Sequence, residues 1–233
     1  MIPYRDENVT QRTPYITAII IALNVLSWIF LQGAGATLPL ATSICNQGLI
    51  PGELLGTLPV GSEFEMGNGL VCLTDPGHHV LNILTSMFLH GSWLHLIGNM
   101  WFFWIFGNNI EDSMGHLRFV AFYLLSGIIA AMTQVLLKPD SIVPMVGASG
   151  AISGIMGAYL ILYPRVRVYA ILPLLFFFTT IALPAWVMLG YWMLLQFLGN
   201  LQESGNGGGV AFGAHVGGFV AGAVMIRFFR RRD

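Results

Sequence analysis

The feature that most narrows what this chain can fold into is a series of apolar stretches of near-bilayer length, separated by turns that hold most of its charge. A helix crossing about 30 Å of hydrocarbon needs about 20 mainly apolar residues. Stretches approaching that length lie at roughly 14–32, 93–109, 117–137, 149–163, 184–201 and 210–229. Hydrophobic residues make up 55% of the chain and charged ones 9%, with a mean hydropathy of +0.72, which excludes an ordinary soluble domain. The expectation is an all-α membrane protein, a six-helix bundle forming one domain over residues 1–233. A formal charge of −1 gives no footprint for a nucleic acid partner. Residues 1–12 are polar and of mixed charge, without the pattern of a cleaved signal peptide, so the first apolar segment is expected to remain.

Charge sets the parity of the spans. Lysine and arginine favour the cytoplasmic side. With six spans and the N-terminus inside, Arg5, Arg12, Arg118, Arg165, Arg167, Arg227, Arg230, Arg231 and Arg232 all fall inside, and only Lys138 falls outside. A seventh span over 168–183 would move the terminal arginines to the wrong face. That stretch reads instead as an interfacial or re-entrant lead-in, broken by Pro173 and Pro184. Residues 1–13 are then a cytoplasmic N-terminus, 33–92 a long external loop free of lysine and arginine, and 230–233 a basic cytoplasmic tail. A multi-pass protein of a prokaryotic plasma (inner) membrane is the default expectation.

The parity places four polar residues in the outer half of the membrane: His95 and Asn99 at the start of span two, Ser149 at the start of span four, and His215 in the first turns of span six. An ionisable residue inside a bilayer is costly, so His215 is a functional candidate. The fifteen residues from Ser149 to Tyr163 reach only about 22 Å as a helix, so Ser149 should lie below the outer surface, facing a cavity. Gly150, Gly154 and Ala158 repeat every four residues on span four, and Ala214, Gly218 and Gly222 do so on span six. Small residues at that spacing let membrane helices approach closely, which would carry Ser149 to His215.

Such a pair permits nucleophilic catalysis, because a serine hydroxyl becomes a nucleophile when a base takes its proton. No carboxylate lies in the outer half of a span, so a serine–histidine dyad is the simpler reading. His95 and Asn99 share a helix face and, with the Ser149 amide at a helix N-terminus, supply donors for an oxyanion hole. Metal binding is not expected, since no Cys/His/carboxylate cluster shows ligand spacing, and no cofactor is implied.

Taken together, His95-x-x-x-Asn99, Gly147-Ala148-Ser149-Gly150, Ala214-His215-Val216-Gly217-Gly218 and the run Phe106-Gly107-Asn108-Asn109-Ile110-Glu111-Asp112 resemble the rhomboid family of intramembrane serine proteases. The resemblance implies a six-helix fold, Ser149 as nucleophile, His215 as base, and His95, Asn99 and Ser149 in the oxyanion hole. It implies hydrolysis of peptide bonds in or near transmembrane segments of other proteins, with lipid as surroundings. Glu111 resembles a carboxylate that is structural in the family. This chain departs from the pattern in two places. Its first external loop lacks arginine, and Ser153 stands where some members carry an aromatic ring that stacks on the histidine. What holds His215 is therefore open.

Span five, with the glycine-rich loop Glu203-Ser204-Gly205-Asn206-Gly207-Gly208-Gly209, is expected to act as gate and cap. Cys45 and Cys72, the only cysteines, both lie in the external loop, where a disulfide competes with two free thiols. Two other functions compete with the protease: a non-catalytic rhomboid-like protein that binds membrane clients, and a small transporter using His95 and His215 as a proton relay. The second would need charged partners along a path, and the inner half of the bundle offers almost none.

Overall fold

The computed structural model describes residues 1–67, 70–75, 77, 79–174, 177–202 and 211–231. The expected cap, 203–209, lies outside them. Each apolar stretch is helical: α1 (Tyr15–Leu26, continuing as a π turn to Leu31), α5 (Trp93–Met114), α6 (His116–Leu137), α7 (Ser149–Leu162), α8 (Ala185–Gln202) and α9 (Phe212–Phe229). Among the described residues, two of these, α6 and α9, are long and apolar enough to cross a membrane by length and composition; Tyr15–Leu31, Ser149–Leu162 and Ala185–Gly199 are shorter apolar helices. Large apolar side chains are widely exposed on the helices, among them Phe30, Leu94, Leu117, Val220, Val224 and Phe228. Exposure on that scale suits lipid rather than water.

The core is aromatic. Phe103 and Phe106 of α5 and Phe119, Phe122 and Tyr123 of α6 have no exposed surface, and Phe103 stacks on Phe119 at a centroid distance of 6.1 Å. Around it α7 and α9 form the most extensive helix pair. A methyl group added to Gly218 would overlap the carbonyl of Gly150, and one on Gly222 the carbonyl of Gly154. The two backbones are therefore in direct contact at these glycines.

The stretch 168–183 is not a seventh helix; it is extended and leads into α8. It forms β4 (Arg167–Leu174) and β5 (Phe177–Pro184), antiparallel, and β1 (Ile2–Asp6) adds to the outer side of β4. Pro173 bars a continuous helix, while Val168, Ile171, Thr179, Thr180 and Ile181 favour extended backbone, so the segment satisfies its amides by pairing. The long loop expected over 33–92 is also folded. It carries α2 (Thr37–Gln47), α3 (Pro51–Leu54), the hairpin β2 (Glu63–Gly67) and β3 (Leu70–Leu73), and α4 (Asn82–Thr85). Cys45 on α2 and Cys72 on β3 are disulfide-bonded, with Cα atoms 5.4 Å apart. At the base of the loop, Gln32 donates to the His90 carbonyl (2.7 Å) and accepts from the His90 amide (2.8 Å).

The two chain ends meet at one end of the bundle. Arg12 lies 3.9 Å from Asp112, and the Arg231 amide donates to the Ser113 carbonyl at 3.1 Å. Helix α1 has no cap of its own: Glu111, 1% exposed, accepts from the Ile16 and Thr17 amides (2.9 and 2.8 Å) and from the Thr17 hydroxyl (2.7 Å). A carboxylate from α5 thus occupies the donor end of another helix, where negative charge is favoured.

Candidate active site

Ser149 opens α7, and its position is set by the residue two before it. Gly147 has φ +126°, and a Cβ there would come within 2.8 Å of His95 Nε2 and 3.5 Å of Asn99 Nδ2. Only glycine tolerates both that backbone angle and that approach. The Gly147 amide donates to the Ser86 carbonyl at 2.9 Å, which fixes the segment against the short turn Ser86–Phe88 that precedes α5.

His215 lies in the first turns of α9, across from Ser149. Its Nε2 is 2.7 Å from Ser149 Oγ. The opposite ring nitrogen, Nδ1, is 2.7 Å from Gln196 Oε1 on α8. Since Oε1 only accepts, Nδ1 carries the imidazole proton, and Nε2 presents a lone pair to the serine hydroxyl. The start of α9 is held from α6, where Gln134 Oε1 accepts from the Ala214 amide at 3.2 Å. Ser153 does not reach the histidine. It is fully buried and its hydroxyl donates to the Ser149 carbonyl one turn back, at 2.6 Å. The indole of Trp192 instead lies beside His215, at a centroid distance of 6.0 Å.

His95 and Asn99 occupy the α5 face turned to Gly147. His95 Nδ1 accepts from the Gly91 amide at 3.3 Å, so the proton of the neutral ring sits on Nε2, the atom facing Gly147. Asn99 Nδ2 is buried and has no hydrogen-bond partner among the described residues. A buried donor without a partner is costly, and it suits a site awaiting an acceptor. A small cavity adjoins Ser149, with Gly147, Met145, Ala130 and Ala214 in its wall. His95 and Asn99 thus face Gly147, two residues before Ser149, and His215 meets Ser149 itself.

Two features escaped the reading of the sequence. Gln196 is one; its signal was a lone amide within an otherwise apolar turn of span five. The other lies away from the site: Glu53, distant in sequence from Asp75 and His79, joins them in bringing ligand atoms within 4.8 Å of one another. The loop between α1 and α5 folds these distant positions together. Their groups already engage one another, with Glu53 Oε1 accepting from the Asp75 amide at 3.0 Å and the His79 ring bonded to the Asp75 carboxylate.

A family model for the rhomboid domain matches residues 77–232. Rhomboid protein 1, mitochondrial, of Saccharomyces cerevisiae is 28% identical over 153 residues, covering 62% of this chain and 40% of that protein. Presenilin-associated rhomboid-like protein A, mitochondrial, of Danio rerio is 29% identical over 136 residues, covering 57% and 36%. RHOMBOID-like protein 6, mitochondrial, of Arabidopsis thaliana is 39% identical over 84 residues, covering 36% and 27%. The match spans between 27% and 40% of the length of these relatives. Their names are mitochondrial, so they lend no support to the prokaryotic plasma membrane expected above. With the domain match extending over most of the chain, and the apolar helices that accompany it, this membrane protein belongs to the rhomboid family.

Proposed function

We propose that the chain is an intramembrane serine endopeptidase, a six-span bundle with both termini cytoplasmic, acting on peptide bonds in or near transmembrane segments of other membrane proteins. The observation that carries this reading is the 2.7 Å contact between Ser149 Oγ and His215 Nε2. His215 takes the hydroxyl proton as Oγ attacks the substrate carbonyl. The developing oxyanion is received by His95 Nε2–H, Asn99 Nδ2–H and the Ser149 amide, the last at a helix N-terminus. His215 then gives its proton to the departing amine, leaving an acyl ester on Ser149. Water enters, loses a proton to His215 and attacks the ester, and the proton returns to Oγ as the acid leaves. The products are one carboxyl and one amine terminus, with the enzyme unchanged. Water reaches Ser149 through the adjoining cavity, and substrate enters where α8 moves away from α5. A cross-link between those helices is expected to block cleavage of membrane substrates.

The test is covalent trapping. A fluorophosphonate should modify Ser149, as read by mass spectrometry of the labelled peptide, and His215→Ala should abolish the adduct. An unmodified Ser149 in folded native protein would favour the client-binding reading instead.

A further inference from the structure

We propose that Gln196 is the positioning residue for His215, a neutral acceptor on α8 that selects the tautomer of the base and makes its orientation depend on where α8 stands. This rests on the protease reading above. With Ser153 bonded to its own helix, the contact of α7 with the imidazole is Ser149 at Nε2. Helix α8 supplies two: Gln196, whose Oε1 is 2.7 Å from His215 Nδ1, and Trp192, one turn earlier on the same face, whose ring lies 6.0 Å from the imidazole. The neighbours of Gln196 in sequence, Leu195 and Phe197, are 45% and 48% exposed, so the amide is turned inward while they face outward.

The chemistry favours an amide at this place. A free imidazole exchanges its proton between two nitrogens, and only the tautomer protonated at Nδ1 has its Nε2 lone pair toward Ser149. An acceptor at Nδ1 selects that form. A carboxylate would do so too, at the cost of an ionised group in a low-dielectric bundle, whereas a glutamine carries no charge. The other titratable ring at the site, His95 on α5, faces Gly147 and leaves Nδ1 of His215 to Gln196. Since α8 packs chiefly on α9, a displacement of α8 that opens the bundle withdraws the acceptor, and its return restores the base.

The experiment compares native protein, Gln196→Leu, Gln196→Glu and Ser149→Ala, in detergent, for cleavage of a single-pass substrate and for fluorophosphonate labelling across pH 5–9. We expect Gln196→Leu to lower kcat by roughly 10–100-fold with KM unchanged, less than the loss seen when a charged orienting group is removed from a triad. Gln196→Glu should regain most of the activity at alkaline pH. Its acid limb should move to higher pH, because a carboxylate at Nδ1 holds the protonated ring, which cannot act as base. If Gln196→Leu fails to fold, the shifted limb of Gln196→Glu carries the test. Native kcat in Gln196→Leu, or an unshifted limb in Gln196→Glu, would overturn the inference while labelling lost in Ser149→Ala upholds the protease reading. Native protein neither cleaving nor labelled would overturn both.

Discussion

A neutral imidazole holds one proton, and its neighbours decide which nitrogen carries it. For His215 and His95 the neighbours choose opposite nitrogens: His215 keeps Nδ1–H against Gln196, and His95 keeps Nε2–H because Gly91 donates to its Nδ1. One ring is thereby prepared to accept a proton and the other to donate one. Asn99→Ala should lower kcat by about 100-fold or more at little cost to KM, the scale of losing one oxyanion donor; unchanged kcat would remove Asn99 from the site. Polar residues inside apolar helices are visible in a sequence, which is why Ser149, His215, His95 and Asn99 could be singled out. Gln196 could not, because an amide there reads equally well as helix–helix glue. A separate prediction concerns Asp6, which lies outside the spans and accepts from Tyr159 Oη (2.5 Å) and Asn109 Nδ2 (2.8 Å). Burial pushes its carboxyl above the ordinary 3.8, against the opposing pull of these hydrogen bonds. The folded state then binds this proton more tightly than the unfolded chain. Its contribution favours folding below pH 3.8 and is lost as pH rises through the folded value. Asp6→Asn should therefore flatten the fall in unfolding temperature between pH 4 and pH 7; an unchanged slope would assign that fall to other groups.

At the scale of elements, α7 and α9 approach at Gly150, Gly154, Gly218 and Gly222 closely enough that a side chain on either of the last two meets backbone. Gly222→Leu should destabilise the protein by about 1–3 kcal/mol, the usual cost of overpacking, and lower activity by parting Ser149 from His215. Thermal unfolding alongside cleavage would check it. Glu111→Gln should cost about 2–3 kcal/mol, because an amide cannot accept from the Ile16 and Thr17 donors with both of its atoms. The helices were legible because apolar runs of near-bilayer length leave few alternatives. The β4–β5 hairpin was not, since apolar residues flanking a proline fit an interfacial segment as well as paired strands. The fold of the loop between α1 and α5 was also hidden, because its order comes from a disulfide and from pairings between residues far apart in sequence, such as Leu49 with Met145.

For the molecule as a whole, the chain ends and the candidate site lie apart: Arg12, Asp112, Ser113 and Arg231 gather at one end, while Ser149 and His215 meet near the opposite ends of their helices. The disulfide ties the loop between α1 and α5 together across a separation of 27 residues. Closing a loop of that length contributes about 3–4 kcal/mol in the chain-entropy model. Reduction should therefore lower the unfolding temperature of the native protein and leave that of Cys45→Ser/Cys72→Ser unchanged. The proposed activity is hydrolysis inside a membrane by Ser149 and His215. Its most direct measurement is cleavage of a single-pass membrane protein by native protein, Ser149→Ala and His215→Ala, each purified and shown to be folded. That activity predicts one cut in or near the transmembrane segment by the native protein and a loss of at least about 1,000-fold in both variants. Cleavage persisting in folded Ser149→Ala, or absent from folded native protein, would contradict it.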